Sequence, residues 1–157
     1  MRLVVDSNIL FSIVISGERS RAYRLVKEHA VELYLPEEAI LEFREHKERL
    51  RERSEEFAFR SFLAFSLAHV IPREFYWSEL GEAYELARAF DPKDTPFIAL
   101  ALKLRVPIWT EDRDLIKRGL ETGRYLVLDT RAVEELLAGS SLADVLEGLR
   151  GRLGLRP

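Results

Sequence analysis

The chain has 157 residues, with 24 Lys and Arg against 27 Asp and Glu, a formal net charge of −3 at pH 7 and 47% hydrophobic residues. That balance excludes a disordered chain and matches one globular domain, with the sequence read as a single unit over 1–157. Cysteine is absent, which excludes disulfides, thiolate zinc sites, iron–sulfur clusters and a cysteine nucleophile, while the mild acidity argues against coating nucleic acid by bulk charge but not against a local basic patch.

In chain order, Leu3–Val5 reads as a short buried strand. Ile9–Ile15 fits either a second strand or a buried helix opening after Asp6-Ser7-Asn8. The segment is too short to span a bilayer, and the start carries no signal-peptide pattern, so a cytoplasmic protein without a membrane partner is expected. Ser20–Ala30 is helical, and Glu32–Leu35 is a strand stopped by Pro36. Glu37–Arg53 is a long charged helix with Ala39, Ile40, Phe43 and Leu50 as its apolar stripe. Phe57–Ala68 is a more apolar helix, and Val70-Ile71 is a strand. Trp77–Phe90 and Asp94–Leu104 read as helices, Pro107–Thr110 as a strand, Asp112–Leu120 as a helix and Tyr125–Leu128 as a strand. Two amphipathic helices, Thr130–Leu137 and Ser141–Leu153, form a tail over 129–157 behind a core of about 1–128. Strands alternating with helices predict an α/β fold around a parallel sheet.

Several residue types are nearly missing. There is no Gln, the only Met is Met1 and the only Asn is Asn8. With abundant Glu and Arg, this is the composition expected of a heat-adapted (thermophile) protein, and it singles out Asn8. Asp is also scarce, occurring at 6, 91, 94, 112, 114, 129 and 144.

On the predicted sheet, Asp6 follows the first strand and Asp112 and Asp114 follow the strand ending at Thr110. Strand C-termini of a parallel sheet share one edge, where ligands bind. Asp94 opens the helix that returns to that edge and falls on its buried stripe with Phe97, Ile98 and Ala101. Glu42 lies near the start of the helix that leaves the second strand. Carboxylates gathered in one partly buried place repel unless a cation joins them, and hard oxygen donors without Cys or His select Mg²⁺ or Mn²⁺. Such ions serve phosphoryl chemistry. Asp91, in Phe90-Asp91-Pro92, reads more simply as a loop residue.

These blocks resemble PIN-domain nucleases, including VapC-type toxins of toxin–antitoxin pairs. The resemblance lies in Leu3-Val4-Val5-Asp6-Ser7-Asn8, Leu35-Pro36-Glu37-Glu38-Ala39-Ile40-Leu41-Glu42, Asp91–Ala101 and Ile108-Trp109-Thr110-Glu111-Asp112-Arg113-Asp114-Leu115. It implies a three-layer α/β/α sandwich with strand order 3-2-1-4-5, and a metal-dependent endoribonuclease. It implies Asp6, Glu42, Asp94 and Asp112 as the catalytic and metal-binding acids, with Asp114 either a further ligand or an acid standing behind the ligands. Asn8 and Thr110 match polar positions that orient the acids or the water. RNA is the implied substrate, with a homodimer and, in the toxin branch, an antitoxin protein as partners.

On the long third helix, Glu42, His46, Arg49 and Arg53 form one stripe, which makes Arg49 and Arg53 candidates to guide an RNA backbone. The plainer reading is a solvated helix with Glu45 and Arg49 paired at i, i+4. His29, His46 and His69 are expected to be structural or partly exposed, and Phe75, Tyr76 and Trp77 to pack in the core. The competing functions are a metal-free binding module of the same fold and a phosphatase using an aspartyl nucleophile. The phosphatase chemistry wants an acid two residues after the first, where Asn8 stands.

Overall fold

The run Leu3-Val4-Val5 is buried on both faces, as a central parallel strand must be. It belongs to β1 (Arg2–Val5), the middle of a five-stranded sheet in the computed structural model, which describes residues 1–156. The other strands are β2 (Glu32–Pro36), β3 (Ala68–Ile71), β4 (Ile108–Trp109) and β5 (Val127–Leu128). Every pairing is parallel and the order is β3-β2-β1-β4-β5, the expected 3-2-1-4-5. Strand order therefore reverses between β1 and β4, and the crevice there opens at the strand C-termini.

The helices are α1 (Ser7–Ser16), α2 (Arg21–His29), α3 (Glu38–Arg53), α4 (Phe57–Ser66), α5 (Arg73–Tyr76), α6 (Leu80–Ala87), α7 (Thr95–Leu104), α8 (Arg113–Thr122), α9 (Thr130–Leu137) and α10 (Leu142–Arg152). They flank the sheet in the three-layer α/β/α arrangement. Helix α7 packs on β1, β2 and β4 and beneath α5 and α6, so the whole run Phe97–Ala101 is buried rather than a single stripe. Helix α1 packs against α2, α3 and α4.

Three sequence expectations are resolved or corrected. Ile9–Ile15 is helical: Ile9, Leu10, Ile13 and Val14 are buried, a helical spacing whose packing against three helices overrides β-branched composition. Trp77–Phe90 is not one helix. Tyr76 is wholly buried with its hydroxyl on Glu38, and its backbone (φ −112, ψ 17) leaves the helical region. A 3₁₀ turn, Trp77–Glu79, then leads into α6, and Phe90 lies beyond it. Trp77 is 65% exposed, with the Arg73 guanidinium over its ring, and Phe75 is also exposed, so only Tyr76 of the three joins the core.

The tail helix α10 docks on its own domain. Val145 and Leu149 are buried, Arg152 forms a forked pair with Asp129, and Arg150 donates to the Leu120 carbonyl. Among the described residues no helix is long and apolar enough to cross a membrane.

Candidate active site

Register decides which polar groups meet. Val5 pairs with Trp109 across the β1–β4 ladder, so the residues that follow, Asp6 and Thr110, emerge side by side. The Asp6 amide donates to the Trp109 carbonyl at 3.0 Å. The Thr110 hydroxyl, fully buried, donates to Asp6 Oδ2 at 2.6 Å. The same hydroxyl oxygen accepts from the Asp112 amide at 3.0 Å and from Asn8 Nδ2 at 3.5 Å. One hydroxyl thus ties together the ends of β1 and β4 and the start of α8.

Asp112 occupies the N-cap of α8, where its Oδ1 accepts from the amides of Asp114 and Leu115 at 2.9 and 3.0 Å. The cap fixes the side chain and leaves Oδ2 uncommitted to it. Asp94 precedes α7; it is 9% exposed, and its Oδ2 is buried without a hydrogen-bond partner. Glu42 approaches from α3, half-buried.

These four carboxylates border one cleft of ≈ 460 Å³ between α1 and α3. Asp91 and Ser7 also line it, and His46, Arg49 and Arg53 continue the α3 wall. Asn8 stands at its edge, exposed. Asp114 is exposed on the first turn of α8, outside that lining, and Glu111 accepts from the Thr130 amide instead. His46 packs edge-on against Phe11, while His29 and His69 are exposed and remote from the cleft.

Burial and mutual repulsion show in the titration of the acids. Burial chiefly pushes Asp94 up to about 8, and the neighbouring charges of Asp6, Asp112, Asp91 and Glu42 push the same way. Glu42 rises to about 7, mainly through burial, with Asp6 and Glu45 adding to it and Lys93 opposing. Asp6 rises to about 6 by burial, against the lowering effect of the Thr110 hydroxyl. Asp6 and Asp94, buried among other acids, lack a countercharge. An orphaned carboxylate oxygen in an all-oxygen cleft fits a hard divalent cation. As the side chains stand, no three of His, Cys, Asp or Glu among the described residues form a ready-made ligand set.

Two residues of this wall were not expected there: Ser7, which the sequence did not single out, and Asp91, which read as a loop residue. Ser7 and Asp91 both face the cleft. The available signal for Ser7 was its spacing with Phe11 and Ile15 at i, i+4 and i+8 along α1, since all three line the same wall. Asp91 looked like a turn residue because it is one: its Oδ1 accepts from the Lys93 amide.

An acid-lined cleft thus opens at the switch point of a 3-2-1-4-5 parallel sheet in an α/β/α domain. A family model described as the PIN domain matches residues 4–138, and the chain belongs to the PIN-domain family. PIN domains are commonly nucleases that bind nucleic acid and generally use divalent metals. None of the curated proteins compared with the chain matches it. The family match ends before α10.

Proposed function

We propose that this chain is a Mg²⁺- or Mn²⁺-dependent endoribonuclease that hydrolyses phosphodiester bonds of RNA in the α1–α3 cleft. The observation that carries this reading is Asp94 Oδ2, a buried carboxylate oxygen without a partner in a cleft shared by three other carboxylates. A group in that state calls for a cation.

Asp6, Asp94 and Asp112 would hold the ion, and Asp114 adds charge beside Asp112. When bound, the cation supplies positive charge at the reacting phosphate and acidifies water. The remaining work belongs to the chain. Thr110, whose hydroxyl oxygen accepts from Asn8, fixes Asp6, and the α8 cap fixes Asp112, so these acids do not reorganise during the reaction. Glu42, on the opposite wall, takes up a proton at a carboxylate oxygen. Arg49 and Arg53, further along the same helix, hold the substrate backbone.

The test is cleavage of labelled single-stranded RNA with Mg²⁺ or Mn²⁺, set against EDTA and against Asp6→Asn and Asp94→Asn. Metal-dependent cleavage that both substitutions abolish is expected. Absence of cleavage, or equal cleavage by the variants, overturns the reading. The toxin branch adds an antitoxin and a homodimer in the cytoplasm. Its check is co-expression with the product of any small adjacent gene, which should form a complex with this chain and suppress cleavage.

A further inference from the structure

The cleft does not end at the acids. Ile15 and Arg53, which line its far end, also wall a second hollow of ≈ 230 Å³ bordered by Ser16, Arg19, Glu55 and Arg60. Three arginines meet there with a single carboxylate.

The arrangement is built. Arg60 donates from Nη1 to the Ile15 carbonyl at 2.7 Å. Its stem lies on Gly17, which has φ +58 and where a Cβ would stand 2.7 Å from Arg60 Nε. Glycine therefore serves both the turn and the close approach of the arginine. One of the five guanidinium donors is used by the carbonyl, and the others remain.

None of Arg19, Arg49, Arg53 and Arg60 is ion-paired among the described residues. Glu45, the i, i+4 partner open to Arg49, lies 3.9 Å from Lys93 instead. Arginines gathered in one notch repel, and arginine cannot relieve that repulsion by losing its proton. A cluster of this kind is complementary to an anion with several planar acceptors, which is the chemistry of a phosphate group.

We propose that the notch of Arg19, Arg53 and Arg60 is a phosphate-binding subsite that grips the backbone of a single-stranded nucleic acid to one side of the cleaved bond. The assignment of a cleaved bond rests on the nuclease reading above; the phosphate site itself does not. Glu42 and Arg53 lie on one helix, eleven residues apart, so the notch stands roughly 16 Å along the helix axis from the acids. The grip is thus on a phosphate other than the one attacked.

The experiment is fluorescence anisotropy in EDTA with a labelled oligouridylate of about 12 nucleotides, titrated at several salt concentrations. The Asp6→Asn protein is the parent, compared with Arg19→Ala plus Arg53→Ala added to it. Arg60→Lys, which keeps stem and charge but loses the fork, is the milder variant. Lys27→Ala on α2 is the control. The double substitution should weaken binding by about tenfold or more and reduce the salt slope by roughly 1.4, about 0.7 for each single-strand phosphate that an arginine no longer neutralises. Arg60→Lys should weaken binding with folding intact by circular dichroism, and Lys27→Ala should change neither quantity. Unchanged affinity and slope in the double variant overturn the subsite, even if the wild type cleaves RNA. Arginine-dependent binding by a wild type that never cleaves supports the subsite and overturns the nuclease reading alone.

Discussion

Thr110 donates its hydroxyl to Asp6 from 104 positions away, and the Asp6 side chain it holds is almost entirely buried. Valine has the shape of threonine but no hydroxyl. Thr110→Val should therefore lose about 2 kcal/mol of unfolding free energy, the scale of a hydrogen bond to a charged group. Cleavage should fall by roughly 10–100-fold, as when a group orienting a metal ligand is removed. Thr110→Ser keeps the donor and should retain most of both. Urea unfolding and initial cleavage rates check the pair.

Metal-free protein should lose stability as pH rises. Asp6, Glu42 and Asp94 ionise at about 6, 7 and 8 in the folded chain, against roughly 4 when unfolded. Between those values the folded state binds more protons than the unfolded one, so the contribution of these groups to stability is greatest below about pH 4 and declines toward about pH 8. The melting temperature in EDTA should be lower at pH 8 than at pH 5. Adding Mn²⁺ should raise it at pH 8 and do little at pH 5, where protons already neutralise the site. An equal effect of Mn²⁺ at both pH values would contradict this.

Asp94→Asn should stabilise the metal-free protein while abolishing cleavage. The substitution removes an uncompensated buried charge and keeps the shape. A gain of about 1 kcal/mol corresponds to roughly 2–4 °C in a domain of this size. Calorimetry in EDTA at pH 8 reads that gain, and with Mn²⁺ present the variant should melt below the wild type.

Asp112 combines two tasks that two substitutions separate. Asparagine is as good an N-cap as aspartate, so Asp112→Asn should leave α8 intact and remove activity. Asp112→Ala should remove activity and about 1 kcal/mol of stability together. Unfolding midpoints for the two variants distinguish the cap from the chemistry.

The tail contributes to folding beyond the span of the family match. Leu149 is 1% exposed against the core, so Leu149→Ala should cost about 2–5 kcal/mol. Denaturant unfolding measures this directly. A loss below about 1 kcal/mol would mean that α10 is dispensable to the domain.

The parallel sense followed from strands alternating with helices, the order 3-2-1-4-5 from the resemblance to PIN domains, and the edge shared by Asp6, Asp94 and Asp112 from the parallel sheet. What stayed hidden is set by long-range packing. That Glu45 turns toward Lys93 rather than Arg49 depends on how α3 and the 3₁₀ turn at Pro92–Asp94 lie against each other, and that Asp114 stays outside the cleft while Asp91 lines it depends on where α8 and that turn are placed. Local propensity is silent on such choices. The 3₁₀ turn at Trp77–Glu79 and the end of α6 at Ala87, both inside the segment read as one helix, were hidden for the same reason.

Helix α3 carries Glu42 near its start and Arg53 at its end without interruption. A continuous α-helix resists stretching far more than a loop does, so the interval between the acid and the arginine behaves as a ruler fixed by residue count. Inserting one helical turn between them would lengthen that ruler by about 5 Å. If the chain cleaves as proposed, the cut would then fall at a different distance from the point where the strand is gripped, and the length of the released fragment would report the change.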